Sequence, residues 1–213
     1  MNRDEVWRAI DEQRSSLADL METFSDTEWE TPSLCEGWRV RDVAAHLTLS
    51  QMGILPATVA VARARGSFNR MVHDTAVRQA ELPVADYPVL LRAMVGSRRK
   101  APGVSDVEPL LDVLMHGQDM TVPLGRTREM PPEAAAAAAQ RAWQLSWPFH
   151  VRKRLRGFSL AANDHPWSVG EGPCVEGRIG ALLMLVTGRD VVLPELSGPG
   201  AEALRARLHP TSA

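Results

Sequence analysis

Apolar residues recur at helical intervals through most of the chain. Over residues 4–24, Val6, Ile10, Leu17, Leu20 and Met21 fall on one face and predict an amphipathic helix. Ser25-Asp26-Thr27-Glu28 has the order of a capping box, in which the serine and glutamate side chains each take up a free backbone amide. A short second helical turn therefore begins there, and Pro32 and Gly37 end it in a connection. Residues 40–51 form the next helix, with Val40, Val43, Ala44 and Leu47 on the buried side and His46 beside them. The small Ala44 and Ala45 let a neighbouring helix approach closely. An irregular helical tendency follows over 54–65, interrupted by Gly53 and Pro56; helices are expected over 67–81 and 86–96. The basic, Pro- and Gly-containing segment 97–105 is a solvated loop. A helix over 107–120 comes next, and then the alanine run 134–139, introduced by two prolines tolerated in a first turn.

Beyond about residue 152 the pattern shortens. Residues 158–162 and 167–169, bounded by Asn163-Asp164, Pro166 and Gly170, read as strands of a hairpin, and Val175 starts another short strand. A helix over 177–186 stops at Gly188, and a short helix occupies 200–208. The chain thus reads as mainly α: a helical domain over residues 1–150 and a small mixed α/β unit over 151–213.

Composition narrows the function classes. With 213 residues, 45% of them apolar and 23% charged, the chain has the make-up of a soluble globular protein, and a net charge of −2 offers no field for a nucleic acid. The most apolar late run, 179–186, is too short to span a bilayer, so no membrane partner is expected. Cys35 and Cys174 form no CxxC pair, and the opening MNRDEVWR is charged, which reads as a cytoplasmic protein with reduced thiols. There is no Walker loop, dinucleotide loop, G-x-S-x-G elbow or H-E-x-x-H; Gly170-Glu171-Gly172 lies in a hairpin context, not before a helix.

The chemistry concentrates in residues 110–125. Asp112, His116 and Asp119 recur at helical spacing beside Leu111, Leu114 and Met115, and His46 is the natural partner for this polar stripe. Two imidazoles and a carboxylate make a three-ligand set with open positions for zinc or a similar divalent ion. The same residues also read as an exposed i,i+4 ion pair and a satisfied core histidine. Asp119 is either an outer acceptor for an imidazole N–H or a solvent-facing residue. His73 either completes the set or faces water, and the run Arg152, Lys153, Arg154 and Arg156 beside His150 either holds an anion or is a solvated surface. Cys35, which precedes a helix start, reads either as a modestly activated thiol or as a small buried side chain, and Cys174 reads the same way.

PSLCEGWRVRDVAAHL over 32–47, LLDVLMHGQDMTVPLG over 110–125, WSVGEGPCVEGRIGALLMLVTGR and LSGPGAEALRARL together resemble the mycothiol-dependent maleylpyruvate isomerase family, within the DinB-like metal-binding superfamily. The resemblance implies a DinB-like four-helix bundle followed by a small α/β unit, and a divalent metal, usually zinc, on His46, Asp112 and His116, which would act in catalysis through it. Asp112 stands where the family more often has glutamate, one methylene longer. The implied reaction uses mycothiol, a low-molecular-weight thiol, as a thiolate that adds to an activated double bond. Bond rotation and loss of the thiol isomerise a maleylpyruvate-like substrate; with other electrophiles the thiol is transferred. Arg78, Arg92 or the 152–156 cluster would steady the substrate carboxylate. The competing class is a non-catalytic divalent-metal-binding bundle of structural or regulatory role. Sequence leaves the oligomeric state open; the Ala-rich helix or an exposed bundle face could form a homodimer.

Overall fold

A computed structural model describes residues 1–51, 68–101, 103–145, 147 and 149–209. The helical tendency expected over 54–65 lies outside them. Two compact units are formed, Asn2–Arg128 and Glu129–Ala213.

In the first unit the helices are α1 (Arg3–Met21), α2 (Asp26–Trp29), α3 (Val40–Thr48), α4 (Phe68–Gln79), α5 (Asp86–Arg92) and α6 (Glu108–Thr121). Each begins or ends for a local reason. Asn2 and Glu5 close a capping box at the start of α1, and Ser25 and Glu28 do the same for α2. Pro109 occupies the first turn of α6, where its missing N–H costs nothing. Helix α1 packs against α5 and α6, and α3 packs against α4, α5 and α6. The core between them is built from Leu17, Met21, Trp29, Val40, Val43, Leu47, Tyr87, Leu91, Val113 and Met120. Tyr87 is fully buried there, and its hydroxyl donates to the carbonyls of Ala80 and Leu82, which gives its one polar atom a partner. This unit is the DinB-like helical bundle.

Helix α2 and the turn before it are tied down by Arg126, whose guanidinium binds Thr23 and reaches Glu28 at 2.7 and 3.0 Å. Those bonds, with the Ser25 amide at 2.8 Å, hold the Glu28 carboxyl down at about 2. A carboxyl depressed on folding contributes stability that is complete above the unfolded value, about 4.3, and fades as pH falls toward the folded one. In the Arg126→Met variant the Glu28 side chain, followed by NMR, is expected to titrate back near the unfolded value. A midpoint left at about 2 would mean that Ser25, and not the ion pair, sets it.

The second unit contains α7 (Pro132–Gln144), α8 (Val151–Arg154), β1 (Ser159–Ala162), β2 (Ser168–Gly170), β3 (Cys174–Gly177), α9 (Ile179–Val186), a 3-10 helix (Asp190–Glu195) and α10 (Ala201–Leu208). The alanine helix α7 packs on the apolar α9, and its small side chains are buried along that contact. A domain boundary expected near residue 150 is thus not where the contacts divide, because α7 belongs with the elements that follow it. The sheet order is β2-β1-β3, with β1 antiparallel to β2 and parallel to β3. The chain therefore crosses from one edge of β1 to the other through Gly170-Glu171-Gly172-Pro173. Gly170 and Gly172 have φ of +80° and +118°, and a Cβ on Gly170 would stand 2.5 Å from the carbonyl oxygen of Phe158. Only glycine passes there. The Gly-Glu-Gly run is a steric requirement of this crossover.

No helix among the described residues is long and apolar enough to cross a membrane.

Candidate metal centre

The centre is assembled from α3, α6 and the connection over residues 32–39. Helix α3 is fixed at its start by Asp42, which accepts from the Arg39 amide at 2.8 Å and from the Arg39 guanidinium at 3.0 and 3.1 Å. Arg39 and Arg41 both bind Glu30 at 2.7 Å. This network sets the axial position of α3 and so of His46, near its C-terminal end.

Helix α6 is buried along almost its whole length. It carries Asp112 and His116 one turn apart, so that His116 Nε2 lies 3.4 Å from Asp112 Oδ1. His46 Nε2 approaches the same oxygen at 3.6 Å. The two imidazoles meet edge to face with centroids 4.9 Å apart. The structure thus brings together the three residues singled out from the sequence as one possible ligand set.

The other nitrogen of His116 is also engaged. Its Nδ1 lies 2.8 Å from Asp119 Oδ2, and Asp119 is wholly buried. Cys35 Sγ donates to the same oxygen at 3.1 Å and lies 3.6 Å from Nδ1. Of the two roles open to Asp119 in the sequence, the structure places it as the imidazole's acceptor. Cys35 arrives because the connection folds back on itself: the Ser33 amide donates to the Trp38 carbonyl, and Gly37 takes φ +76° in the turn. The Leu34 amide then donates to the backbone carbonyl of Asp119 at 3.1 Å. That carbonyl is available because the residue four positions on is Pro123, which has no N–H to give it. A proline that ends α6 therefore also anchors the loop that delivers Cys35.

Trp38, from the same connection, packs its indole against His46 at 5.3 Å and against His116 and His73 at 6.5 Å. His73 itself is half exposed on α4 and pairs with Asp74 at 3.3 Å. Among the described residues it joins no cluster of ligand atoms; the clusters found are His46, Asp112 and His116, and Cys35, His116 and Asp119.

The electrostatics favour a cation between the carboxylates. Burial alone would strip the proton from His116, but hydrogen bonds to Asp112, Asp119 and Cys35 outweigh it and hold the imidazolium well above the ordinary histidine range. Burial would likewise raise Asp112, and the bonds from His116 and His46 instead hold it far below the ordinary carboxylate range. The donor set also fits a metal by spacing. Tetrahedral zinc with bonds of about 2.0–2.1 Å has ligand atoms about 3.3–3.4 Å apart, close to the 3.4 and 3.6 Å separations from the Asp112 oxygen. All three ligand atoms lie within 4.8 Å of one another.

The arginines expected to steady an anion lie differently. Arg92 is bound to Asp19 and Glu22, Arg78 is exposed at the end of α4, and Arg154 is tied to the Leu185 carbonyl and to Asp190. Arg152 donates to the Trp143 carbonyl, and Lys153 and Arg156 are exposed. A different arginine, Arg14, is buried within the bundle on α1. Its sequence signal was its spacing: position 14 continues the series Val6, Ile10, Leu17 and Met21, so a charge sits on the apolar face. The signal for Cys35 was weaker, its place just before a helix start, and nothing in it pointed to His116 or Asp119.

Among solved structures, the crystal structure of the mycothiol-dependent maleylpyruvate isomerase matches with a TM-score of 0.62 and 13% identity, over 89% of this chain and 90% of that one. A histidine-to-alanine mutant of that isomerase matches with a TM-score of 0.61 and 14% identity, over the same shares of the two chains. At such identity these establish a common fold. A comparison with curated proteins finds no match. Residues 10–184, from within α1 into α9, match the family described as the mycothiol maleylpyruvate isomerase N-terminal domain. With its helical bundle, its small α/β unit and more than half of its length covered by that match, the chain belongs to this family.

Proposed function

We propose that the protein is a metal-dependent enzyme that uses a low-molecular-weight thiol, mycothiol, to isomerise, or to be transferred to, a small electrophilic acid of the maleylpyruvate type. The observation that carries this reading is the His46, Asp112 and His116 set. It offers three protein donors at zinc-compatible spacing, while His73, the further histidine the sequence offered, pairs with Asp74. A structural zinc site is closed by four protein ligands, whereas three leave a position for a reactant. A divalent ion held there, zinc by the donor set, would favour the thiolate form of a bound thiol at neutral pH.

The chain's own residues divide the remaining work. His46 and His116 present Nε2 and Asp112 presents Oδ1 as donors. Asp119 fixes the His116 ring by accepting from Nδ1, so the Nε2 lone pair is the one left for a ligand. The Trp38 indole covers one side of both rings and keeps water from it. The family and the matching solved structures are both named for the same thiol, which supports mycothiol over other thiols.

The test is metal content. Protein purified without a metal-affinity tag is expected to hold about one zinc per chain by mass spectrometry. In the cobalt-substituted protein, adding mycothiol should produce a thiolate-to-metal absorption band. No metal after reconstitution would overturn the proposal. Metal with no spectral response to thiol would leave the competing reading, a non-catalytic metal-binding bundle.

A further inference from the structure

Two clusters of ligand atoms meet at one imidazole. Nε2 of His116 faces the Asp112 oxygen at 3.4 Å, while Nδ1 faces Asp119 Oδ2 at 2.8 Å and Cys35 Sγ at 3.6 Å. Cys35 Sγ and Asp119 Oδ2 are themselves 3.1 Å apart, so the three atoms close a triangle. A thiol, an imidazole and a carboxylate are three metal donors once the sulfur and the nitrogen give up their protons. The sulfur and the carboxylate then both carry negative charge, which balances a divalent ion inside the protein, whereas the His46, Asp112 and His116 set brings one carboxylate. Only the triangle contains sulfur, which selects thiophilic ions over magnesium, calcium or manganese. The spacing agrees. Tetrahedral zinc with Zn–S of about 2.3 Å and Zn–N of about 2.0–2.1 Å holds sulfur and nitrogen about 3.5–3.6 Å apart, against 3.6 Å between Sγ and Nδ1. The other two edges are hydrogen-bond lengths and open by about 0.5 Å when an ion takes the place of the protons. Cys35 is the corner able to yield, since it lies on the connection before α3 and is partly exposed, while His116 and Asp119 are buried on α6.

We propose that Cys35, His116 through Nδ1, and Asp119 form a second cation site, taking a thiophilic divalent ion of the zinc or cadmium type, back to back with the first set on one histidine. The site stands on these three residues and does not need the His46, Asp112 and His116 set to be filled. Binding releases one proton from the Cys35 sulfur and one from Nδ1 to water. Bonds form from the ion to sulfur, nitrogen and oxygen, with no change of oxidation state. With both sets occupied, His116 is an imidazolate shared by two ions, and the repulsion between them makes the second the more weakly held.

The experiment titrates cadmium into the reduced full-length protein carrying Cys174→Ser, so that the ultraviolet thiolate-to-cadmium band reports Cys35 alone. Bound zinc and cadmium are counted by mass spectrometry. The expected result is a saturable band, with the total of bound ions rising by about one per chain as it saturates. The same titration is made with His46→Ala added, which removes a donor from the first set, and then with Asp119→Asn as well. Asparagine at 119 should raise the cadmium needed for half-saturation at least about tenfold, because an anionic donor is gone. A thiol binding by itself would not respond to that change, so an unchanged midpoint overturns the proposal, as does the absence of a saturable band when Asp119 is present. Should the Asp119→Asn protein fail to fold, proton release on adding cadmium decides. About two protons per ion, from sulfur and from Nδ1, support the site, and about one, as from a thiol alone, overturns it. Zinc content before cadmium is added tests the first set separately: zinc without a band keeps the metal-centre reading and overturns this proposal, and a band without zinc does the reverse.

Discussion

The His116→Ala variant is expected to lose its metal and a substantial part of the stability of the helical unit in the same step. Both nitrogens of this imidazole are in use, Nε2 at 3.4 Å from Asp112 and Nδ1 at 2.8 Å from Asp119. Removing the ring deletes one of three donors and takes the Nδ1 bond from the buried Asp119 carboxylate. Taking away one partner of a buried, hydrogen-bonded charge pair costs about 3–5 kcal/mol. His46→Ala makes the contrast. His46 is more exposed and shares only the Asp112 oxygen in this array, so its loss should remove the metal with a smaller effect on stability. Metal analysis and urea denaturation of both variants check this. Metal retained in His116→Ala, or equal destabilisation by the two substitutions, would contradict the arrangement described.

Asp119→Asn should weaken metal binding without unfolding the bundle. The carboxylate orients His116 from the side away from the ligand-facing nitrogen, and losing such an outer partner lowers metal affinity by roughly 10–100-fold. The amide has nearly the same shape, and the main-chain bond from Leu34 to residue 119 does not depend on the side chain, so the loop should stay docked. Competition with a chromophoric chelator measures the change. Cys35→Ser, which keeps a donor to Asp119, should have a much smaller effect; a loss as large as that of Asp119→Asn would assign the dominant role to the thiol.

The helical texture, the capping boxes of the first unit and the three short strands could be read from the chain because each depends on neighbours within a few positions. Asp112 and His116 were legible for the same reason, being one turn apart, and His46 became their partner through the resemblance and the spacing on its own helix. Cys35 was not legible. It meets His116 across 81 positions, by way of a loop whose docking depends on an unclaimed carbonyl above Pro123, and no local pattern carries that information. Arg14 was visible in principle as a charge on an apolar stripe, but periodicity cannot tell a buried guanidinium from one that reaches out of the interface. The side on which the alanine helix packs was hidden too. Small side chains permit close approach to any flat apolar partner, and the partner, α9, lies more than thirty positions further along.

The passage through Gly170-Glu171-Gly172 bears on how this chain can vary. All three strands of the sheet lie within residues 159–177, so each pairing closes only a short loop and its entropic cost is small. Register in such a sheet is governed by clearance at the crossing, where the chain passes beside the main chain of residues 157–159. A side chain added at either glycine would act on alignment before it acted on packing, shifting β2 and β3 relative to β1. An insertion there would relax the crossing and let the strands slide, so this turn, although exposed, should tolerate changes of length less readily than an ordinary surface loop.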